Sequence, residues 1–536
     1  MKRRAAFLVV LAMLAALPAS APSQPPQASA GQVALHQIQQ DIAVAGLLQG
    51  LQAQGRHRVT LLRNVRIVDP DSGRATAGQS VIVAGGRIHW VGETAQAPRL
   101  RAPFVIEGRG RFLAPALADM HIHSGRAGGW LLNLAAGVTT VRDMAGMNWI
   151  LRARDAVGAG RMLAPTLYVA GPLINASPVF GYAVVPANAL DARRLVRQQA
   201  ACGYDFVKVH NDLPRPTFDM VAAQARLEGM ALIGHVPHDI PVGHAAAAGM
   251  RTMEHLKGWL DDRTLGMGER DYAAAARPGL WVTPTLYATV QNLHGDPARA
   301  ALRRPQMAYV PLVRRRRWQA AIDAPAAEPG LRAARDNALG NMVRIVQALH
   351  AAGARFLAGT DNDYYAHQVM GFGLLEELDM LRAAGLSPAE VYRAATSEAA
   401  RALGEEAGMG AVRPGMRADL LLLDANPAQD PAALRGGPDV MAQGVWLERQ
   451  ALNGALAALA RLYAEPDEAT AYGEAQVEAA AAAVERLAAD GFVLDASALT
   501  ALAAAARGSG WTVAAERIER VAAVPTSGPC YEVRPE

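Results

Sequence analysis

Between Pro115 and Gly404 the chain alternates short apolar runs of β character with longer helical stretches. The runs are "GVTTVRD", "TLYVAGP", "DFVKVH", "MALIGHV", "RTMEHL", "LWVTPTL" and "ARFLAGTD". Runs of this length suit strands covered on both faces, and the intervening helices supply the crossovers that parallel strands need. The pattern predicts an α/β fold with a parallel sheet. At 536 residues the chain exceeds one small core, so two or three domains are expected.

The flanks of this segment are different. From Arg58 to Phe112 the runs "RVTLLRNVRIVD", "QSVIVAGGRIHWVG" and "APFVIEGRGRFL" are separated by Gly and Asp turns. Near Gly410 the chain returns to strands, "AVRPGMRADLLLLDANP" and "DVMAQGVWL". β-rich sequence on both sides of the α/β segment predicts one small sheet domain assembled from both ends. The expected division is 58–113 and 405–447 for that domain, 114–404 for the α/β domain, and 448–536 for an alanine-rich extension of about four short helices.

The first residues bear on location. Lys2, Arg3 and Arg4 precede an apolar run from Ala5 to Leu17, then Pro18 and small residues, the layout of a secretory signal peptide ending near residue 30. The run falls short of the ~20 residues that span a bilayer. Export to the periplasm or the medium is expected, without stable membrane insertion after signal cleavage. Two cysteines, Cys202 and Cys530, do not make a disulfide framework, and Cys202 reads as a small buried residue at a helix end. Hydrophobic content of 51% with 19% charged residues is globular. The net charge of +4 is carried by scattered arginines, which disfavours a nucleic-acid partner. Arg314–Arg317 reads as a solvated helix face or loop.

The chemistry begins at "LADMHIHSG". In a strand, residues i and i+2 share a face, so His121 and His123 present two imidazoles side by side. Four further runs end in metal-capable residues: Lys208, His235, His255 and Asp361. A (β/α)8 barrel uses about 30 residues per unit and places its active site at the C-terminal ends of its strands. On that spacing these residues fall at the ends of strands 1, 4, 5, 6 and 8, at one mouth. The interval from His255 to Asp361 is too long unless a lid is inserted, and 261–331, rich in Arg and Pro, is the expected lid. Candidate substrate-binding residues are His210, two after Lys208; Lys257, two after His255; and Tyr287, His238 and His367 near the same mouth. His244 and His350 read as helix residues, and Glu376 and Glu377 as structural. No Gly-x-Ser-x-Gly elbow points to a serine nucleophile.

This ordered set resembles the amidohydrolase superfamily, in particular its imidazolonepropionase-like branch, which includes binuclear prolidases. The resemblance runs from about Val59 to Trp446 through "LADMHIH", "AAGVTTVRD", "GYDFVKVH", "GHVP", "AAGMRTMEHLKG", "AGTD" and "VRPGMRADLLLLDANP". It implies a (β/α)8 barrel of TIM type beside a composite β-sandwich. It implies two divalent ions, with zinc the first choice: one held by His121, His123 and Asp361, the other by His235 and His255. A carbamate on Lys208 would bridge them. Such a pair shares a hydroxide that attacks an amide carbonyl, with Asp361 carrying the proton to the leaving nitrogen. The implied activity is exported hydrolysis of an amide in a small molecule, such as a dipeptide or an N-acyl amino acid. One departure is the stretch "GPLINASPVFGYAVV", which stands where characterised prolidases carry a glycine-rich loop. The alternatives are a mononuclear deaminase or cyclic-amide hydrolase of the same superfamily, and a non-catalytic binding protein on a barrel scaffold. Deaminases carry a glutamate soon after the strand-5 histidine, where this chain has "HVPHD". A homo-oligomer stays open.

Composition adds an independent hint. Of 53 Lys and Arg residues only Lys2, Lys208 and Lys257 are lysines. Arginine stays protonated, whereas a buried lysine can lose its proton and add carbon dioxide. A lysine inside "DFVKV" is where that chemistry would be needed.

Overall fold

The computed structural model describes residues 28–522, apart from 124–125, 145, 147, 180–182, 262–263, 294, 325–328, 363–366, 467–469, 493 and 495. The signal-peptide segment lies outside the described residues for all but its end.

The two β-rich flanks join in one mixed sheet. Val59–Val68 pairs antiparallel with Ala75–Ala84 and parallel with Phe104–Glu107 and Phe112–Pro115. Phe112–Pro115 in turn pairs antiparallel with Leu420–Leu423, with Leu420 opposite Pro115, so the sheet closes over the whole α/β segment. Alternation along these strands buries Leu62, Val65, Val81, Val83, Leu113, Leu420, Leu422 and Trp446 in a core of their own.

Parallel strands fill the middle of the chain: β1 (Leu117–Ile122), β2 (Val138–Asp143), β3 (Thr166–Val169), β4 (Phe206–Val209), β5 (Ala231–Gly234), β6 (Met250–Glu254) and β7 (Trp281–Thr283). β1–β2–β3 and β4–β5–β6–β7 are hydrogen-bonded in these orders. Single parallel bridges continue the ladder: Ala170 with Phe206 links β3 to β4, Val282 with Phe356 links β7 to the segment 356–362, and Ile122 with Asn362 links that segment to β1. Every residue of β1 and β2 is buried, as their continuous apolar runs require. After β3, the "GPLINASPVFGYAVV" stretch forms a short parallel pair, Leu173–Ile174 with Ala183–Val184, beside β4.

The long interval before Asp361 is not a single lid. β7 runs through the middle of it, leaving a small hairpin (Leu260–Asp261 with Gly266–Met267) before it and the helices Gly295–Leu302 and Leu312–Asp323 after it. The Arg-rich helix Leu312–Asp323 buries none of its residues.

A helix from Ala30 to Gly55, to which the sequence reading assigned nothing, packs on helices of the C-terminal extension. Leu35, Ile38 and Leu48 are fully buried in that contact, and Gln40 Nε2 donates to the Leu462 carbonyl at 3.1 Å. The helix ends against the sheet, where a Cβ on Gly55 would lie 2.0 Å from the Trp446 carbonyl oxygen. Only glycine permits that approach. The extension itself has four helices among the described residues: Arg449–Ala464, Glu474–Ala489, Ala496–Gly508 and Thr512–Ala522. No helix among the described residues is long and apolar enough to cross a membrane.

Cys202 requires a correction. It caps the helix Ala189–Ala201, half-buried rather than buried, and it is disulfide-bonded. Local spacing does not reveal such a bond, and Cys530 lies outside the described residues.

Candidate metal centre

The C-terminal ends of the parallel strands bring five of the six expected ligands into one chain of close contacts. His121 Nε2 lies 3.3 Å from His123 Nε2 and 3.3 Å from Asp361 Oδ1, and His123 Nε2 lies 3.2 Å from the same oxygen. A tetrahedral ion with bonds of about 2.0–2.1 Å would hold its ligand atoms about 3.3 Å apart. His121, His255 and Asp361 also present ligand atoms within 4.8 Å of one another. The His255 ring centroid is 4.5 Å from that of His121 and 4.7 Å from that of His235. Lys208, the sixth, is buried at the end of β4, its Nζ donating to the Met144 carbonyl at 3.1 Å.

The hydrogen bonds behind the imidazoles fix their tautomers. His121 Nδ1–H donates to Glu254 Oε2 at 2.8 Å, and His235 Nδ1–H to Asn211 Oδ1 at 2.6 Å. The Thr285 hydroxyl donates to the Pro284 carbonyl, so its Oγ1 accepts from His255 Nδ1–H at 2.6 Å. Each of these rings thus keeps its proton on Nδ1 and offers the lone pair of Nε2, the form a cation needs.

Electrostatics agree with that form. Burial lowers the pKa of His121 to about 4, against the opposing pull of Glu254, and holds His235 and His255 well below the ordinary range. Burial alone would raise Asp361, but His255, His123 and His121 outweigh it and keep the carboxylate ionised. Burial lowers Lys208 to about 8, partly offset by Asp361, Glu254 and Asp143. Neutral imidazoles, an anionic carboxylate and a readily deprotonated lysine form a donor set that fits divalent cations. Backbone strain marks the same place. His255, Thr285 and Asp361 have φ of 59°, 51° and 54°, a left-handed region that non-glycine residues seldom occupy outside sites that require it.

The cavity beside these ligands has a volume of about 210 Å³, and Lys257, Thr289 and Gln291 line it with His235, His255 and Asp361. Leu260, Leu265, Ala288, Ala338 and Met342 give it an apolar side. The candidate substrate-binding residues divide accordingly. Lys257 is on the wall. His210 is buried, its ring centroid 4.1 Å from that of His235. Tyr287 is not on the wall: it is buried, and its hydroxyl accepts from the Val369 N–H at 3.0 Å. His367 is buried with Nδ1 3.2 Å from the Val290 carbonyl, and His238 is partly exposed, 3.3 Å from Asp212 Oδ1. Neither is among the cavity-lining residues. Tyr287 and His367 are instead held in packing, through Val369 N–H and the Val290 carbonyl.

Sequence reasoning missed the supports. Arg142 Nη2 donates to Glu254 Oε1 at 2.7 Å, and both side chains are buried. Burial would raise Glu254, but Arg142 and His121 outweigh it and hold it ionised. Asp119 accepts from the Thr360 hydroxyl at 2.7 Å and the His121 N–H at 3.2 Å, tying β1 to the segment that carries Asp361. A signal was present: an arginine in "TTVRD" and a glutamate in "RTMEH" interrupt runs buried on both faces, and buried charges need partners.

Comparison with known proteins identifies the family. The model of the Amidohydrolase family matches residues 112–455. The chain belongs to the Amidohydrolase family. An adenine deaminase from Deinococcus radiodurans is 27% identical over 381 residues, 68% of this chain but only 58% of the deaminase, so the chain spans little more than half of that relative. Among solved structures, the bottromycin amidohydrolase superposes with a TM-score of 0.65 at 26% identity, covering 80% of this chain and 95% of its own. A Xaa-Pro dipeptidase with bound methionine superposes at 0.57 over 73% of this chain and 100% of its own; at 19% identity it shares the fold alone.

Proposed function

We propose that this amidohydrolase is an exported binuclear enzyme that cleaves the amide of a small carboxylate-bearing substrate, such as a dipeptide or an N-acyl amino acid. The observation that carries the reading is the convergence of His121 Nε2, His123 Nε2 and Asp361 Oδ1 at 3.2–3.3 Å. We read the bridged ladder of parallel strands as a (β/α)8 barrel with this mouth at its C-terminal face. His121, His123 and Asp361 would hold one ion and His235 and His255 the other, with Lys208, as a carbamate, a further ligand. Bound divalent ions, zinc first among the candidates, supply Lewis acidity that polarises a carbonyl and acidifies water.

The chain's residues do the rest. Asp361 stays ionised through the neutral range, so it can accept a proton at its carboxylate and deliver it to the leaving nitrogen. Its side chain is 16% exposed, towards the cavity mouth, while His121 behind it is sealed from solvent. Lys257 offers an ammonium to a substrate carboxylate, and Leu260, Leu265 and Met342 receive an apolar side chain. Lys208, once its ammonium has lost a proton, would add carbon dioxide through the free amine and release a second proton, replacing a buried cation by a carbamate anion among imidazoles. A disulfide at Cys202 fits an oxidising compartment and supports export.

A mononuclear deaminase is the second reading, favoured by the aligned adenine deaminase. Metal-loaded enzyme assayed on dipeptides, N-acyl amino acids and adenine separates the two. Release of free amino acids supports the first, and ammonia from adenine alone supports the second.

A further inference from the structure

Glu377 sits in the leucine-rich helix Phe372–Ala383, fully buried beside Leu374, Leu375, Leu378 and Leu381. A leucine would be the default at such a position, because a buried carboxyl costs free energy unless its bonds are worth more. Its Oε2 accepts the Tyr287 N–H at 2.7 Å. Its Oε1 has no hydrogen-bond partner among the described residues. The bond to the Tyr287 amide is the one contact that a leucine could not make there.

That amide lies in the 3-10 turn Leu286–Asn292, which carries the cavity residues Ala288, Thr289 and Gln291. The residue before it is Thr285, left-handed at φ 51° and bonded to His255 Nδ1 at 2.6 Å. A second tie joins the same turn to the same helix: a Cβ on Gly373 would lie 2.4 Å from the Tyr287 ring. Helix and turn are thus locked together close to the hydroxyl that orients His255.

We propose that Glu377 is a positioning residue for the metal centre: by holding the Tyr287 amide it fixes the turn next to Thr285, whose hydroxyl orients His255. Glu377 does not itself reach the cavity. The inference rests on the reading of His255 as a metal ligand. Burial raises the Glu377 carboxyl to about 8, so around neutral pH it is mostly protonated, and a glutamine, with one acceptor oxygen, is its closest substitute.

The test compares wild type with Glu377→Leu, Glu377→Asp and Glu377→Gln, measured on folded protein well below each thermal midpoint. The readouts are zinc affinity, by competition with a chelator, and kcat/KM. Loss of a hydrogen-bonded support behind a metal ligand typically weakens metal binding about 10–100-fold. Glu377→Leu, and Glu377→Asp with its carboxyl one methylene short, should lose at least tenfold in zinc affinity, and Glu377→Gln should stay within about threefold of wild type. A role confined to packing would shift the midpoint but leave the zinc affinity of the folded protein unchanged, and that result overturns the proposal. So would failure of both the Leu and the Asp variants to fold, which would assign Glu377 to the core. His255→Ala is the control on the parent reading: if it keeps full zinc binding, the ligand assignment fails; if it loses zinc while Glu377→Leu does not, only the positioning role fails.

Discussion

The mouth of the parallel strands and the helical layer formed by Ala30–Gly55 with the C-terminal extension obey opposite rules. In the layer, Leu35, Ile38, Leu48, Leu459, Leu499 and Leu502 are buried apolar groups on regular helices, with a few polar side chains such as Gln40 and Gln52 buried among them. At the mouth, His121, Lys208, His235, Glu254 and Arg142 are buried with their charges and lone pairs, and His255, Thr285 and Asp361 hold left-handed backbone. Burying such groups costs free energy unless they are paired or coordinate a cation. Apolar packing accounts for most of the layer. The mouth is explained only by what it holds.

Substitutions should therefore separate activity from stability in opposite senses in the two regions. The largest effect is expected at Asp361. Asp361→Asn keeps the size but removes the charge and the proton acceptor, and kcat should fall by about 10²–10⁴ without loss of the fold. Steady-state kinetics with a thermal melt checks it, and near wild-type kcat with metal in place would break the contrast. Next is Lys208→Arg, which keeps a positive charge but cannot form a carbamate. Metal content should fall from about two ions per chain to one or fewer. In Lys208→Ala, acetate added with metal should restore part of the activity.

Smaller effects sharpen the comparison. Glu254→Gln should weaken metal binding about 10–100-fold by loosening His121. In the layer, Leu502→Ala should cost about 2–5 kcal/mol in denaturant unfolding yet leave kcat/KM unchanged. If it lowers kcat/KM instead, the layer is coupled to the mouth. The smallest effect is one of pH on the metal-free protein. With its carboxyl raised to about 8, folded Glu377 binds more proton than the unfolded chain between about pH 4.5 and 8. Its contribution to stability therefore falls as pH rises through that window. The difference in unfolding free energy between wild type and Glu377→Gln should drift accordingly from pH 5 to 8. His121, whose lowered pKa favours stability with rising pH, is common to both proteins and cancels.

The same contrast explains what could be read from the sequence. Strand periodicity and the residue at each strand end announced the parallel strands, the two-flank sheet and the cluster of His121, His123, His255 and Asp361, because both signals are local. The residues that aim the ligands were not legible. Glu254 meets His121, Thr285 meets His255 and Glu377 meets Tyr287 only after strands far apart in sequence are laid side by side. The helix Ala30–Gly55 was missed for a related reason: its apolar residues have no partner until the extension returns to cover them. Tyr287 was misplaced because one left-handed residue at Thr285 redirects the chain, and nothing local marks it.

The central claim is that the mouth is built to hold cations. Elemental analysis of the purified, zinc-loaded wild-type protein tests it most directly. The arrangement of His121, His123 and Asp361 beside His235, His255 and Lys208 predicts close to two ions per chain after removal of free metal. A chain that retains essentially none, while still hydrolysing amides at an undiminished rate, would contradict it.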